Sequence, residues 1–208
     1  MVSAWLMSDI APGGDPRLAH VSAPLPEAQA FLKDIGVLYW RLAPIRPEGD
    51  LSDVPESEYL AQLDAVASER GYKNRDQVEI SPTKMPNYET LCGVFFQEHL
   101  HDDEEIRFCA GGSGYFDVRD RADRWIRIAV TPGDLLVLPA GIYHRFSPDE
   151  KNYIKAIRLF QDAPRWEAHA RTVNNVSSAA AASVQPAGDL RPARADYLTA
   201  LNTSPGHA

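Results

Sequence analysis

The stretch GVFFQEHLHDDEEIRFCAGG, residues 93–112, decides how the rest of the chain is interpreted. Its two histidines, His99 and His101, stand two residues apart in an extended apolar run. Side chains two residues apart on a β-strand point to the same face, so these imidazoles project together, as do Glu105 and Arg107. Imidazole and carboxylate groups are metal ligands. The stretch therefore predicts three ligands and a cation on one side of two short strands.

A fourth ligand is expected from elsewhere in the chain, which has six histidines. His144 follows an apolar strand-like run and a tight Pro-Ala-Gly turn at 139–141, which reverses the chain and aims this histidine inward. The histidines His20, His169 and His207 lie in segments typical of loops or tails. We expect all four ligands to face the interior of one barrel.

The composition excludes several classes of function. A chain of 208 residues forms one domain with or without appendages, and its net charge of −8 argues against nucleic acids and anionic membrane surfaces as partners. No apolar run approaches the ~18 residues of a membrane-spanning helix, and no signal peptide is expected. Cys92 and Cys109 do not make a disulfide framework, which fits free thiols in a reducing cytosol.

The amino-terminal part is typical of a mixed α/β segment. Apolar residues recur at helical spacing over 27–35 and, most clearly, over 57–70, and a glycine follows each run. Residues 4–7 and 37–42 are predicted as strands. Residues 12–26, rich in proline and glycine, are predicted as a loop.

Beyond this part the pattern changes to short strand-like runs separated by turn residues. Many short strands with such turns indicate an antiparallel sandwich or a small barrel. The acidic turn 102–104 is predicted to be solvated. The predicted strands lie at 94–98, 106–109, 115–119, 125–130, 135–138 and 153–159.

The apolar pattern fades after Trp166, and residues 177–186 (SSAAAASVQP) have the composition of a flexible linker. We therefore expect a metal-binding domain at 1–168, with an α/β amino-terminal portion, and a flexible low-complexity tail at 169–208. A helical turn or two at 194–201 that docks back on the domain is the alternative.

Two motifs resemble the signatures of the cupin superfamily. They are G-x5-H-x-H-x3-E-x6-G and G-x5-P-x-G-x2-H, and Pro148 replaces the asparagine that commonly ends the second. The resemblance implies a mainly β fold: a cupin-type antiparallel jelly-roll barrel that holds a metal, with the amino-terminal helices packed outside. The motifs fall on Gly93, His99, His101, Glu105 and Gly112, and on Gly133, Pro139, Gly141 and His144.

A narrower resemblance covers roughly residues 3–167. The runs EHLHDDEEIRF, GSGYFDVRD, WIRIAV, LPAGIYHRF and DEKNYIKAIRLF are similar to acireductone dioxygenases of the eukaryotic type, enzymes of methionine salvage. The resemblance implies cleavage of 1,2-dihydroxy-3-keto-5-methylthiopentene with O2 at one Fe(II) or Ni(II) per chain. Fe(II) implies formate and 2-keto-4-methylthiobutyrate as products, whereas Ni(II) implies formate, CO and 3-methylthiopropionate. The resemblance implies a location in the cytoplasm and also in the nucleus. Apart from the resemblance, we expect a monomer without membrane insertion.

Arg107 and three neighbours of the ligands are candidates for contacts in the pocket. Arg107 shares the parity of Glu105 and should point into the barrel, where an unpaired guanidinium is costly. It forms an ion pair with an interior carboxylate or anchors an anionic substrate; the resemblance favours the anchor, because the matching arginine of the family contacts the acireductone oxygens. Phe95 and Phe146 are expected in the core or the pocket wall, and Gln97 is expected to orient an imidazole.

Two other functions stay open from the sequence. Another cupin oxygenase or isomerase could use the same four ligands, but generic cupins lack Arg107 and the long matching segments. A non-enzymatic cupin binding protein would use the amino-terminal half or the tail as an interface for a partner.

Overall fold

The computed structural model describes residues 2–42, 56–161, 167–171 and 191–203. Antiparallel strands are the main regular structure of the described chain, and four helices accompany them in the described ranges. In chain order the elements are β1 (Ser3–Met7), β2 (Val21–Pro24), α1 (Ala28–Asp34), β3 (Leu38–Arg41), α2 (Glu56–Arg70), β4 (Asn74–Ile80), α3 (Tyr88–Phe95), β5 (His99–Leu100), β6 (Glu105–Gly112), β7 (Gly114–Arg119), β8 (Trp125–Val130), β9 (Asp134–Leu138), β10 (His144–Pro148), β11 (Ile154–Phe160), β12 (His169–Ala170) and α4 (Pro192–Thr203).

The strands form two antiparallel sheets that share one hydrophobic core. The seven-stranded sheet has the order β12-β5-β10-β7-β8-β1-β2, and the five-stranded sheet has the order β3-β9-β6-β11-β4. Side chains from both sheets, such as Val118 and Ile128 from one and Cys109 and Leu136 from the other, belong to the same buried cluster. This arrangement confirms the predicted jelly-roll.

The centre of the five-stranded sheet is buried on both of its faces. All five residues of β9 are buried, because Leu136 joins the core between the sheets and Leu135 and Val137 join a second core under α2. In that second core, Tyr59 of α2 stacks on Phe108 of β6 with ring centroids 5.2 Å apart. A strand buried on both faces has a continuous apolar sequence, and the helix that covers it packs outside the barrel, as predicted.

One predicted strand is wrong. Residues 94–98 are predicted to be extended, but α3 covers Tyr88–Phe95 and the next strand begins at His99. The apolar positions 88, 91, 92 and 95 repeat at helical spacing, and the β-branched and aromatic residues of VFF masked that period.

Two edge strands lie where the sequence predicts none. β2 lies inside the predicted loop 12–26 and pairs with β1. β4, with the sequence NRDQVEI, pairs with β11 along its whole length. Both strands are mostly exposed, so neither shows the apolar alternation that identifies a half-buried strand.

The carboxyl-terminal part departs from the expected low-complexity tail at two places. Residues His169 and Ala170 form β12, which pairs with β5. Helix α4 spans 12 residues, and it buries Tyr197 and Leu201, which stand four residues apart on one helical face. The alternative of a docked helix at 194–201 is therefore nearer to the structure. The predicted linker 177–186 lies outside the described residues.

Candidate metal centre

The four candidate ligands meet where β5, β6 and β10 approach each other. His99 of β5 and His144, the first residue of β10, are direct cross-strand partners, and their ring centroids lie 4.5 Å apart. The ring of His101 lies 5.0 Å from that of His99 and 5.3 Å from that of His144. Glu105 is the first residue of β6, which belongs to the other sheet. The centre is thus assembled between the two sheets.

The donor atoms of these side chains converge. One ring nitrogen from each of His99, His101 and His144 lies within 4.8 Å of the others. The Oε2 atom of Glu105 lies 3.3 Å from Nε2 of His101 and 3.7 Å from Nε2 of His144. The structure therefore brings together all four residues that the two sequence motifs single out, as a set of three nitrogens and one carboxylate oxygen.

Backbone carbonyls orient the three imidazoles. Each Nδ1 faces a carbonyl oxygen, and since a carbonyl only accepts, each Nδ1 carries a proton, which leaves Nε2 as the ring nitrogen available to a metal. Among the described residues, the buried Nε2 of His144 has no hydrogen-bond partner. A buried unpaired nitrogen is costly, so the residues present fit a metal. The carbonyl partners are Gln97 for His99 at 2.6 Å, Glu167 for His101 at 2.8 Å and Ile142 for His144 at 3.0 Å.

Burial and neighbouring charges set the protonation of the centre. Burial, together with His144, lowers the pKa of His99 to about 3, which keeps this imidazole neutral near pH 7. Burial alone would raise the pKa of Glu105, but the charge of Arg107 and the neighbouring rings of His101 and His144 hold it well below its usual range. Burial would also lower the pKa of His101, but its bond with Glu105 raises it. The centre thus offers a carboxylate and a neutral His99, the forms that bind metals.

Arg107 lies beside the centre and forms an ion pair within it. Its Nη2 donates to Oε2 of Glu105 at 2.9 Å, and its Nη1 donates to the carbonyl of Ile106 at 3.0 Å. Burial lowers the pKa of Arg107 in spite of the Glu105 charge. The ion pair with an interior carboxylate is therefore present, and that carboxylate is itself a ligand candidate.

A cavity of about 320 Å³ opens onto the candidate ligands. The expected wall residues Phe95, Phe146 and Gln97 all line it. Gln97 contributes its backbone carbonyl to His99, whereas its side chain had been expected to orient an imidazole. Most of the apolar remainder of the wall comes from the two sheets: Val78, Ile80, Cys109, Phe116, Val130, Ile154 and Ala156.

Sequence reasoning missed a second cation in the cavity wall. Arg158 of β11 is the direct cross-strand partner of Arg107 and also lines the cavity. Its Nε donates to Asp76 of β4 at 2.7 Å. The sequence did contain a signal for this residue: Ile154, Ala156 and Arg158 stand two residues apart on β11, so they share one face and line the cavity together.

The acidic turn 102–104 is held by ion pairs, which corrects the prediction of a solvated turn. Asp102 pairs with Arg191, which precedes α4. Glu104 accepts bonds from Nη2 of Arg70 at 2.8 Å and from the hydroxyl of Tyr72 at 2.7 Å. The turn between the second histidine and Glu105 is thus fixed from both sides.

A family model described as the ARD/ARD' family matches residues 3–168. The chain belongs to the ARD/ARD' family. A relative from Branchiostoma floridae is 51% identical over 84% of this chain and 92% of its own length. The relative from Homo sapiens is 48% identical over the same shares, and both are named acireductone dioxygenase. These relatives confirm the expectation of a dioxygenase enzyme of this family.

A solved structure shares the fold of this ARD/ARD' member. It is described as acireductone dioxygenase from Bacillus anthracis with a cadmium ion in its active center. It is 24% identical, has a TM-score of 0.62, and the match covers 81% of this chain and 97% of that one. In the described part of this chain, no helix has the length and apolar character needed to cross a membrane.

Proposed function

We propose that this ARD/ARD' family member is an acireductone dioxygenase that cleaves 1,2-dihydroxy-3-keto-5-methylthiopentene with O2 in methionine salvage. The observation that carries the proposal is the convergence of three imidazole nitrogens with the carboxylate of Glu105. The names of the relatives supply the substrate class. Another cupin oxygenase or isomerase, or a cupin binding protein, could use the same four ligands, but the relatives are named acireductone dioxygenase.

One metal ion per chain would be held by His99, His101, Glu105 and His144. Imidazoles with a carboxylate suit Fe(II) and Ni(II), the two ions we propose, whereas closed zinc sites favour cysteine ligands. Both cysteines lie outside the histidine cluster. When bound, such an ion supplies a Lewis acid and a template for a chelating substrate.

Arg107 would bind the negative charge of the ene-diolate. A guanidinium has five N–H donors, and the bonds to Glu105 and to the Ile106 carbonyl use two of them. In a partly buried site, charge attraction is stronger than in water. Arg107 therefore has two tasks in this proposal: it keeps Glu105 ionised, and it orients the substrate oxygens.

The apolar wall would hold the methylthioethyl arm of the substrate. Phe95, Phe146 and Val130 line the cavity, and its volume of about 320 Å³ lies within the usual range for small-ligand sites. These side chains exclude water from the reacting carbons and fix the direction of the arm. The polar end of the substrate is then directed to the ligands and Arg107.

The identity of the metal would decide the products. We propose formate and 2-keto-4-methylthiobutyrate with Fe(II), and formate, CO and 3-methylthiopropionate with Ni(II), as the resemblance to the family implies. The same resemblance leads us to propose a location in the cytoplasm and the nucleus, and we also propose that the protein is a monomer.

The direct test is oxygen uptake with the acireductone by metal-free full-length chain reloaded with Fe(II) or with Ni(II). We expect uptake with both ions and CO only with Ni(II), measured by an oxygen electrode and gas chromatography. No uptake with either ion would overturn the proposal. Glu105→Gln should abolish uptake, whereas the matched change Glu150→Gln, at an exposed turn residue, should leave it intact.

A further inference from the structure

Helix α4 begins against the two turns that present His101 and His144, and it lies beyond residue 168, where the match to the family model ends. These turns are residues 102–104, which follow His101, and residues 139–141, which precede the strand of His144. A segment after the family match thus contacts the candidate metal centre from outside.

The first contact is an ion pair to the turn 102–104. The Nε atom of Arg191 donates to Oδ1 of Asp102 at 3.0 Å, and its Nη2 donates to Oδ2 of the same carboxylate. Bidentate pairs of this kind fix geometry as well as charge. Since Asp102 follows His101 directly, the pair holds the backbone next to a candidate ligand.

The second contact is made on the turn 139–141. Gly141 has a φ of 79°, and a Cβ at this position would collide with the carbonyl of Ala193 in the first turn of α4. Arg194 donates from Nη1 to the carbonyl of Gly141 at 3.1 Å, and its guanidinium lies 4.6 Å from the ring centre of Tyr143. Tyr143 is fully buried and directly precedes His144. The close approach of α4 thus supports the chain on both sides of Ile142.

The two turns are also joined to each other and to the body of the domain. The backbone N–H of Gly141 donates to the carbonyl of His101 at 3.0 Å. The middle of α4 is held by the hydroxyl of Tyr197, which donates to the carbonyl of Ile35 at 3.0 Å, and its far end is held by the buried Leu201. A helix anchored at one end therefore bridges both ligand turns at the other.

We propose that Arg191 and Arg194 are positioning residues that hold the turns 102–104 and 139–141 together and so retard the release of the metal. This inference rests on the proposed metal site. It concerns how long the site retains an ion, and neither arginine is among the residues that line the cavity. Both arginines act through the backbone of His101 and His144 and do not touch the ion or the substrate.

The test measures the transfer of Ni(II) from the loaded full-length chain to an excess of a coloured chelator. Changes in the groups that support metal ligands typically cost 10–100-fold in affinity, so we expect the double variant Arg191→Ala/Arg194→Ala to release Ni(II) at least about tenfold faster than the unchanged chain. Arg191→Lys keeps the charge beside Asp102 and should recover part of the slow release of Arg191→Ala.

Two control variants separate positioning from general stability. Leu63→Ala truncates a fully buried side chain in the second core under α2, so it should lower Tm without accelerating release. Arg75→Ala removes an exposed ion pair with Asp64 and should change neither quantity. Release of Ni(II) at the unchanged rate from the double variant, or equal acceleration by Leu63→Ala, would overturn the inference. If the unchanged chain retains no Ni(II), the proposed metal site itself fails.

Discussion

Neighbouring residues of β10, His144 and Arg145, belong to two buried polar clusters of opposite kinds. On one face of the sheet, Arg145 donates from Nε to Asp117 at 2.8 Å, and Arg127 donates to both oxygens of that carboxylate at 2.7 and 2.8 Å. Arg127 also donates to two carbonyls of the loop that precedes β2. On the other face, Nε2 of His144 is buried without a hydrogen-bond partner among the described residues.

The difference separates a structural cluster from a binding site. Buried polar groups in native proteins are almost always paired, so a cluster whose donors are bonded to a carboxylate and to backbone carbonyls fastens the fold. The Asp117 cluster ties β7, β8 and β10 to an amino-terminal loop. A buried ring nitrogen without a hydrogen-bond partner, such as Nε2 of His144, is costly unless something else binds there. The predictions below test this contrast.

The largest effect is expected for His144→Ala. It removes one of four candidate ligands, so we expect the purified chain to lose its metal and its oxygen uptake with the acireductone. Elemental analysis and an oxygen electrode measure the two. The matched control lies one residue along the strand: Arg145→Ala faces the structural cluster and should retain the metal. Full metal content in His144→Ala would contradict the contrast.

Asp117→Ala should have the largest effect on stability. It leaves Arg127, which is fully buried, without its carboxylate, and the loss of one partner of a buried ion pair costs about 3–5 kcal/mol. Urea denaturation of the metal-free chain measures this free energy of unfolding. The folded variant should still bind one metal ion. A loss of metal binding with unchanged stability would show that the roles of the two clusters are reversed.

Arg107→Gln should have a smaller effect that separates the two roles left open for this residue. If Arg107 anchors the substrate, loss of its charged bonds, worth about 1.5–3 kcal/mol, should lower kcat/KM by roughly 10–100-fold with the metal retained. Steady-state oxygen uptake and elemental analysis give both values. Unchanged kcat/KM together with weaker metal binding would show that Arg107 serves only as the ion-pair partner of Glu105 and does not anchor the substrate.

The sequence predicts those parts of the candidate site whose residues lie close together along the chain. His99, His101 and Glu105 lie within seven residues: their i, i+2 spacing aligns the two imidazoles, and the short turn 102–104 brings in Glu105 from the other sheet. Arg158 could have been found in the same way, from its alternation with Ile154 and Ala156. The helix α3 was missed because β-branched and aromatic residues favour strands even where the apolar period is helical.

The supporting contacts could not be predicted in this way. The carbonyl that orients His101 belongs to Glu167, which is 66 residues away along the chain, and a backbone carbonyl carries no signature in the sequence. The pairing of Asp102 with Arg191 spans 89 residues. Such contacts depend on how distant segments return to the barrel, which neither motif spacing nor periodicity specifies.

The most direct test of the central claim is X-ray absorption spectroscopy of the full-length chain loaded with one equivalent of Ni(II). The convergence of His99, His101 and His144 with Glu105 predicts three imidazoles and oxygen scatterers around the ion, whereas Ni(II) mixed with His144→Ala, which is expected to lose the metal, should show no such imidazole shell. A sulfur scatterer, which would implicate Cys109 in the cavity wall, or the same imidazole count in both proteins, would contradict the account.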